Sequence, residues 1–165
     1  MTISEKIKIA SDLFGAWGND LWSDTEVKGL LDVLIENLSA SGKVNRDLGV
    51  LAVCKHCDEE EGGSCCGAGI ENRYSPHLLL VNLLLGVTLP EERCFADSCY
   101  FLGKEGCSLE ARDVLCINYL CTRIQRLLGH ESLLTLQTVT GKEMETVFLL
   151  HEAVKRFING RSDDH

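Results

Sequence analysis

All nine cysteines of this sequence fall between residues 54 and 121. Use in a hydrophobic core would scatter cysteines along the chain, so this confinement indicates a shared chemical site. The densest stretch is CKHCDEEEGGSCCG, residues 54–67, which begins with a C-x-x-C pair and ends in two adjacent cysteines before a glycine. Two residues between thiolates allow both sulfur atoms to bind one metal ion. Metal ligation is therefore the first chemistry that these residues suggest.

Two other uses of the thiols, disulfide bonding and redox catalysis, fit the sequence less well. The N-terminal MTISEKIKIA carries charged residues and no apolar stretch typical of a secretory signal, so we expect a cytoplasmic protein. Clustered thiols in that reducing compartment are more typical of metal sites or catalysis than of disulfides. A redox C-x-x-C usually begins a helix after a strand, and no such strand is visible here.

Four more cysteines occur in CYFLGKEGCSLEARDVLCINYLC, residues 99–121. Cys116 and Cys121 lie five residues apart, so on one continuous helix their side chains would point about 140° apart. They can share a site only if a helix starts or kinks there, and otherwise they would serve two sites.

The cysteine pattern of residues 54–121 resembles the bacterial zinc- or iron-chelating domain family. That family is known for a C-x-x-C followed by an adjacent cysteine pair, and its later half is similar to the segment 99–121, with Arg112 at the family's arginine position. The resemblance implies metal chelation by eight residues: Cys54, Cys57, Cys65, Cys66, Cys99, Cys107, Cys116 and Cys121. Cys94 lies outside the pattern, and we interpret it as a small unligated residue.

Zinc is the metal that this ligand set predicts first. Four thiolates with no open position make a structural zinc site, and eight could make two. The same thiolates could hold an iron–sulfur cluster, although the C-x2-C-x2-C and C-x4-C-x2-C spacings of ferredoxins are absent. Soft sulfur ligands exclude magnesium and calcium as native metals. His56 and His77 are further candidate ligands, but a packed or solvent-facing histidine is the simpler interpretation of each.

The sequence therefore predicts a metal-binding protein with a structural or protein-interaction role. The alternatives are an iron–sulfur protein in electron transfer or supporting a modification enzyme, and a thiol redox switch. No P-loop or G-x-S-x-G motif assigns catalytic residues, which favours a protein that is not an enzyme. Besides the metal ion, we expect a protein partner whose identity the sequence leaves open.

Charge and hydropathy disfavour nucleic acid and membrane as partners. The net charge is −9, and residues 54–121 carry five basic against eleven acidic side chains, which would repel a phosphate backbone. The longest nearly uncharged apolar run, residues 77–90, is too short to span a bilayer and predicts a buried core helix. No basic amphipathic helix suggests membrane binding.

The elements that must position the cysteines are predicted to be helical. A chain of 165 residues suits one domain, and we expect an all-α bundle of about five to six helices with irregular cysteine-rich loops. Within residues 1–165 we divide the chain into a helical hairpin (1–46), a cysteine-rich metal-binding region (54–121) and C-terminal helices (122–160).

In the N-terminal half, two capping boxes predict helix starts, Thr2-x-x-Glu5 and Ser23-x-x-Glu26. The GAWGND segment between them, residues 15–20, is predicted to be a tight connection. Residues 54–74 show no periodicity and are predicted to be an irregular loop.

In the C-terminal half, Ser75 followed by Pro76 predicts the start of a buried helix. Residues 88–107 are predicted to be irregular, and Ser108 is predicted to cap a helix over 109–128. The tail 131–159 follows a helical pattern with a break at Gly141, because an interior glycine costs about 1 kcal/mol relative to alanine.

Overall fold

The computed structural model describes residues 1–60 and 65–162, with only the backbone for residues 55, 57–60 and 162. It confirms the all-α prediction. The helices are α1 (Ile3–Ser23), α2 (Thr25–Asp47), α3 (Val50–Glu60), a 3₁₀ helix (Ile70–Arg73), α4 (Pro76–Leu84), α5 (Val114–Asn118), α6 (Thr122–Leu127) and α7 (His130–Ser162). Two short antiparallel strands, β1 (Leu102–Gly103) and β2 (Gly106–Cys107), pair Leu102 with Cys107.

The first capping box is confirmed, whereas the second is wrong. The Glu5 N–H donates to Thr2 Oγ1 at 3.3 Å, and the Thr2 N–H donates to the Glu5 carboxylate at 2.6 Å. Ser23, however, is the last residue of α1, and its hydroxyl donates to the Asn19 carbonyl at 2.9 Å. Asp24 caps α2 instead, because its carboxylate accepts the Val27 N–H at 3.0 Å.

The predicted connection at residues 15–20 is also wrong, because α1 continues through it. The apolar positions Ala10, Trp17 and Leu21 stay on one helical face and pack into the core, so burial maintains the helix across its two glycines. Gly18 serves packing rather than a turn, since a Cβ there would lie 3.2 Å from the ring of Phe14.

The prediction of an irregular loop over residues 54–74 is wrong for residues 54–60, which are helical. Gly49, with a φ of 74°, separates α2 from α3, and α3 then runs through Cys54 and Cys57 to Glu60. Residues 50–60 contain neither glycine nor proline, so nothing in them interrupts the helix. Residues 61–64 lie outside the described part of the chain.

The buried helix predicted after Ser75 is confirmed as α4. The Ser75 hydroxyl accepts the Leu78 N–H at 3.1 Å, and Pro76 occupies the first turn, where its missing N–H costs nothing. The helix is buried on nearly every face and packs against α1 and α7.

The prediction of one helix over 109–128 is wrong, because the helix starts later and is divided in two. The side chain of Asn82 in α4 accepts the backbone N–H groups of Glu110 and Ala111 at 2.9 and 3.0 Å, which holds that segment out of a helix. Helix α5 starts only after Asp113, whose carboxylate accepts the Leu115 N–H at 3.0 Å. A separate helix, α6, follows after Cys121.

The predicted break at Gly141 is wrong as well, since α7 is continuous from His130 to Ser162. Its packing along α2 is the most extensive helix–helix contact between the described elements. That burial outweighs the low helix propensity of one glycine.

Two hydrophobic clusters organise the described residues. The main cluster joins α1, α2, α4 and α7 with the loop around Cys99–Leu102. The second cluster consists of Val50, Ile124, Leu128 and Leu136, and it joins α3, α6 and the start of α7. None of the described helices combines the length and apolarity needed to cross a membrane.

Candidate metal centre

Backbone pairing brings Cys66 beside Cys99, although α4 lies between them in the chain. The Cys99 N–H donates to the Cys66 carbonyl at 2.6 Å, and the Ala68 N–H donates to the Asp97 carbonyl at 3.2 Å. Gly67 and Ser98 form an antiparallel bridge between these bonds. The two halves of the cysteine-rich region are therefore joined by main-chain hydrogen bonds.

The hairpin that follows carries Cys107. The Leu102 N–H donates to the Cys99 carbonyl at 3.0 Å, and the Ser108 N–H donates to the Phe101 carbonyl at 2.8 Å. Because Cys107 pairs with Leu102 in the hairpin, its backbone position is fixed relative to Cys99.

Cys116 reaches the same region from α5 through Tyr74. The Tyr74 hydroxyl donates to Cys116 Sγ at 3.7 Å and accepts the Asp113 N–H at 3.2 Å. The Tyr74 ring is buried and packs edge-on against Phe101, with ring centroids 5.1 Å apart. A single rigid side chain thus ties α5 to the loop that carries Cys99.

Cys65, Cys99, Cys107 and Cys116 lie near enough to Cys66 for their charges to act on its thiol, and we call these five residues the thiol cluster. Burial, together with smaller contributions from negative charge on the other four members, raises the pKa of the Cys66 thiol to about 12. Burial also raises the pKa of Cys99 and of Cys107, again with contributions from neighbouring thiolates. Cys107 is exposed as a residue, but the surrounding protein still removes enough water from its sulfur to cause this shift. Neighbouring thiolates therefore oppose the ionisation of Cys66, Cys99 and Cys107.

A buried ion pair holds the Cys65–Cys66 segment against the Cys99 loop. Glu71 is 4% exposed, and its carboxylate accepts hydrogen bonds from Arg93 and, at 2.8 Å, from the Gly69 N–H. Arg93 also donates to the Ser98 carbonyl. Burial alone would raise the pKa of Glu71, but the hydrogen bonds from Arg93 and the backbone amides outweigh it and lower that pKa.

A second set of polar contacts positions α5 and its cysteine. Asn82 is fully buried and also donates to the carbonyls of Ala111 and Leu78, at 2.9 and 3.0 Å. Arg73 Nε donates to the Asp113 carboxylate at 2.7 Å, next to the start of α5.

Sequence reasoning missed Asn82, Glu71 and Arg93. A polar Asn inside the leucine-rich run 78–85 was the one available signal, since a buried amide requires partners.

The remaining predicted ligands belong to other elements. Cys121 packs against the second cluster, as does Val53, the residue before Cys54. Cys54 is exposed on α3. Cys57 belongs to the same helix, and only its backbone is described. Cys116 lies in α5 and Cys121 is the N-cap residue of α6, so the angle expected for one continuous helix does not apply.

The other candidate donors are distributed over the surface and the α4–α7 contact. Cys94 and His56 are exposed. His77 is half-buried, with its ring edge-on to that of His151 at 6.2 Å between centroids. His151 Nε2 lies 2.8 Å from the Ser75 hydroxyl, so this histidine has a packing partner at the start of α4.

The donor chemistry of the thiol cluster suits a soft metal ion, since it comprises only sulfur. Among the side chains that the structure describes, no three His, Cys, Asp or Glu residues form a group that could hold a metal ion. The described thiols of the cluster thus do not form a complete metal coordination sphere.

Comparison with known proteins adds no assignment: the sequence matches no protein-family model, and no curated protein or solved structure matches it significantly.

Proposed function

We propose that the protein binds a soft metal ion, zinc in the first place, through clustered cysteine thiolates and in a structural or protein-interaction role. The observation that carries the proposal is the thiol cluster itself. Four separate segments of the chain, the loop before α4, the Cys99 loop, strand β2 and helix α5, each bring cysteine into it. Incidental burial of thiols gives no reason for such convergence.

The electrostatics of the cluster favour a cation over a reactive thiol. Catalytic and redox-active cysteines have lowered pKa values, because the thiolate is the reacting form. The pKa values of Cys66, Cys99 and Cys107 are instead raised, by burial and by mutual repulsion. A divalent cation would offset this repulsion, and thiols release their protons when they bind a metal.

In this proposal Cys66, Cys99, Cys107 and Cys116 are the four sulfur ligands of a structural zinc site, with Cys65 as an adjacent alternative, and their side chains must move together to bind the ion, because the described side chains do not form a metal-holding group. A second site would draw on Cys54, Cys57 and Cys121, since α3 and Cys121 both meet the second cluster. The proposal requires reduced thiols and hence a reducing compartment such as the cytoplasm.

An iron–sulfur cluster is the alternative occupant, because it uses the same thiolates. Elemental analysis of the anaerobically purified protein, together with its visible spectrum, distinguishes the two. Zinc predicts a colourless protein with one zinc ion for every four ligating thiolates. A brown protein with broad visible absorption and bound iron would replace zinc by the iron–sulfur alternative. A colourless, metal-free protein with closed disulfides would contradict both.

A further inference from the structure

A group of side chains outside the thiol cluster has reactive chemistry of its own, where the start of α4 meets α7. The Ser75 Oγ atom and the His151 Nε2 atom are 2.8 Å apart, which is hydrogen-bond distance. On the other side of the ring, His151 Nδ1 lies 3.4 Å from the Glu152 carboxylate. A hydroxyl beside an imidazole that is in turn oriented by a third group is the arrangement that activates a serine as a nucleophile.

The hydrogen bonds of Ser75 direct its hydroxyl proton at His151. As the N-cap of α4, the Ser75 Oγ atom already accepts the Leu78 N–H at 3.1 Å. The Glu152 carboxylate beside Nδ1 favours the tautomer of His151 that carries its proton on that nitrogen. Nε2 is then the acceptor of the Ser75 hydroxyl, and it can take the proton when the oxygen reacts.

The surroundings of His151 favour the neutral ring that a general base requires. Its side chain is 23% exposed, and burial lowers its pKa, against a smaller opposing contribution from Glu152. Lys155 also lowers this pKa, and its ammonium donates to the Glu152 carboxylate at 3.0 Å. The same contact restricts the movement of Glu152 beside the ring.

The position of Ser75 at the N-cap of α4 adds a favourable electrostatic field. The N-terminal end of a helix dipole is positive, and it stabilises negative charge that develops nearby. Such charge forms on the carbonyl oxygen of an ester when a nucleophile attacks it. Ser75 and His151 are 76 residues apart in the chain, so no short sequence motif reveals the pair.

We propose that Ser75 is a nucleophile, with His151 as its general base and Glu152 as a positioning residue, and that the group cleaves esters of small acyl groups. Ser75 Oγ forms a bond to the carbonyl carbon, and its proton passes to His151 Nε2. The bond from that carbon to the leaving alcohol breaks, and the alcohol takes the proton. Water then attacks the acyl-serine in the same way, which releases the acid and restores the hydroxyl. A small acyl group is expected because Ser75 and His151 are only partly exposed.

The first test is covalent labelling of the full-length protein with an alkyl fluorophosphonate, followed by peptide mapping. Ser75 Oγ forms a bond to phosphorus, fluoride leaves, and His151 takes the proton. The folded wild type should be labelled at Ser75, and the protein unfolded in urea should not. His151→Gln should slow the labelling about 100-fold, within the range for loss of a general base. His130→Gln is the matched control, because His130 is an exposed residue at the start of the same helix.

The second test is hydrolysis of p-nitrophenyl acetate. Ser75→Asn removes the hydroxyl and retains the N-cap, because asparagine caps a helix about as well as serine. The cysteines react with the ester equally in both proteins, so the release of p-nitrophenol that is lost in Ser75→Asn is the contribution of Ser75. We expect a measurable loss.

The pH dependence of labelling separates catalysis from packing. The labelling rate of the wild type should fall as the pH drops through the folded-state pKa of His151, which lies below the ordinary value of 6.5. Glu152→Gln should move that midpoint to lower pH, because the Glu152 carboxylate raises the pKa of His151. A role of Glu152 in packing alone would not move it.

A folded wild type without label on Ser75, or equal labelling rates in the wild type and His151→Gln, would overturn the inference. So would label spread evenly over other serines, or p-nitrophenol release that is unchanged in Ser75→Asn. An unmoved midpoint in Glu152→Gln would overturn the role given to Glu152. Urea unfolding checks the fold of each variant, and if Ser75→Asn does not fold, Ser75→Gly replaces it, since glycine is also tolerated at an N-cap.

Discussion

The backbone N–H of Cys99 donates to the carbonyl oxygen of Cys66 at 2.6 Å, so two segments separated by α4 meet through their main chains. The bond lies inside the thiol cluster but uses no sulfur atom. The frame that brings the cysteine-bearing segments together is therefore built from main-chain hydrogen bonds and packing.

Replacing a central member of the thiol cluster should reduce metal binding. We expect Cys66→Ser to lower the zinc content measured by elemental analysis, because a serine hydroxyl is a much weaker zinc ligand than a thiolate. Cys94→Ser is the matched control, since Cys94 is exposed and lies outside the proposed ligand set. Full zinc content in Cys66→Ser, or equal losses in both variants, would remove Cys66 from that set.

Cys57 belongs to the proposed second group of ligands, so Cys57→Ser should also lower the zinc content. If the two groups form separate sites, the loss should leave the zinc bound by the thiol cluster in place. Undiminished zinc in this variant would count against the C-x-x-C as a ligand pair.

Asn82→Ala should destabilise the protein by about 3 kcal/mol, because it leaves buried backbone groups without hydrogen-bond partners. The side chain of Asn82 makes four hydrogen bonds, three of them to Glu110 and Ala111. Urea denaturation of the apoprotein measures the change. Asn19→Ala, an exposed helical position, should have little effect by comparison. Wild-type stability in Asn82→Ala would mean that the segment before α5 is held by other contacts.

Glu71 should stabilise the protein at neutral pH and lose this contribution at acidic pH. Its folded-state pKa lies below the ordinary value of 4.5, so its contribution is complete above that pH and is lost as the pH falls through the folded-state pKa. Glu71→Gln should cost about 3 kcal/mol at pH 7, since it leaves Arg93 without its buried partner. The difference from the wild type should shrink at lower pH. A difference that stays constant between pH 7 and pH 3 would rule out this linkage.

His77 and His151 should produce a second pH dependence, in a higher range. Burial lowers the pKa of both rings. The positive charges of His151 and Lys155 lower the pKa of His77 further, whereas the negative charge of Glu152 raises it. The fold therefore favours neutral histidines: their contribution is present above the unfolded-state pKa of about 6.5 and is lost as the pH falls below it. His151→Gln should weaken the pH dependence of the unfolding free energy between pH 7.5 and 5.5. An identical dependence in the variant would exclude His151 as a source of it.

The local features of the fold could be predicted because they depend on neighbouring residues. The capping box at Thr2 and the Ser75–Pro76 start of α4 each satisfy their own helix ends, so the sequence is sufficient to place them. The errors arose where distant contacts intervene. Residues 15–20 stay helical because Trp17 and Leu21 reach the core, and α7 continues through Gly141 because it packs along α2.

The sequence by itself determined that the protein is helical and that its cysteines are confined to one region, since periodicity and spacing are properties of the chain. Only the tertiary structure decided which thiols become neighbours. The segments that carry Cys66, Cys99, Cys107 and Cys116 come together because Glu71, Asn82 and Tyr74 hydrogen-bond to segments far from them in sequence. Cys121 packs instead against the second cluster, and a new helix begins directly after it. Buried polar groups must find partners, and which partners are within reach depends on the folded chain.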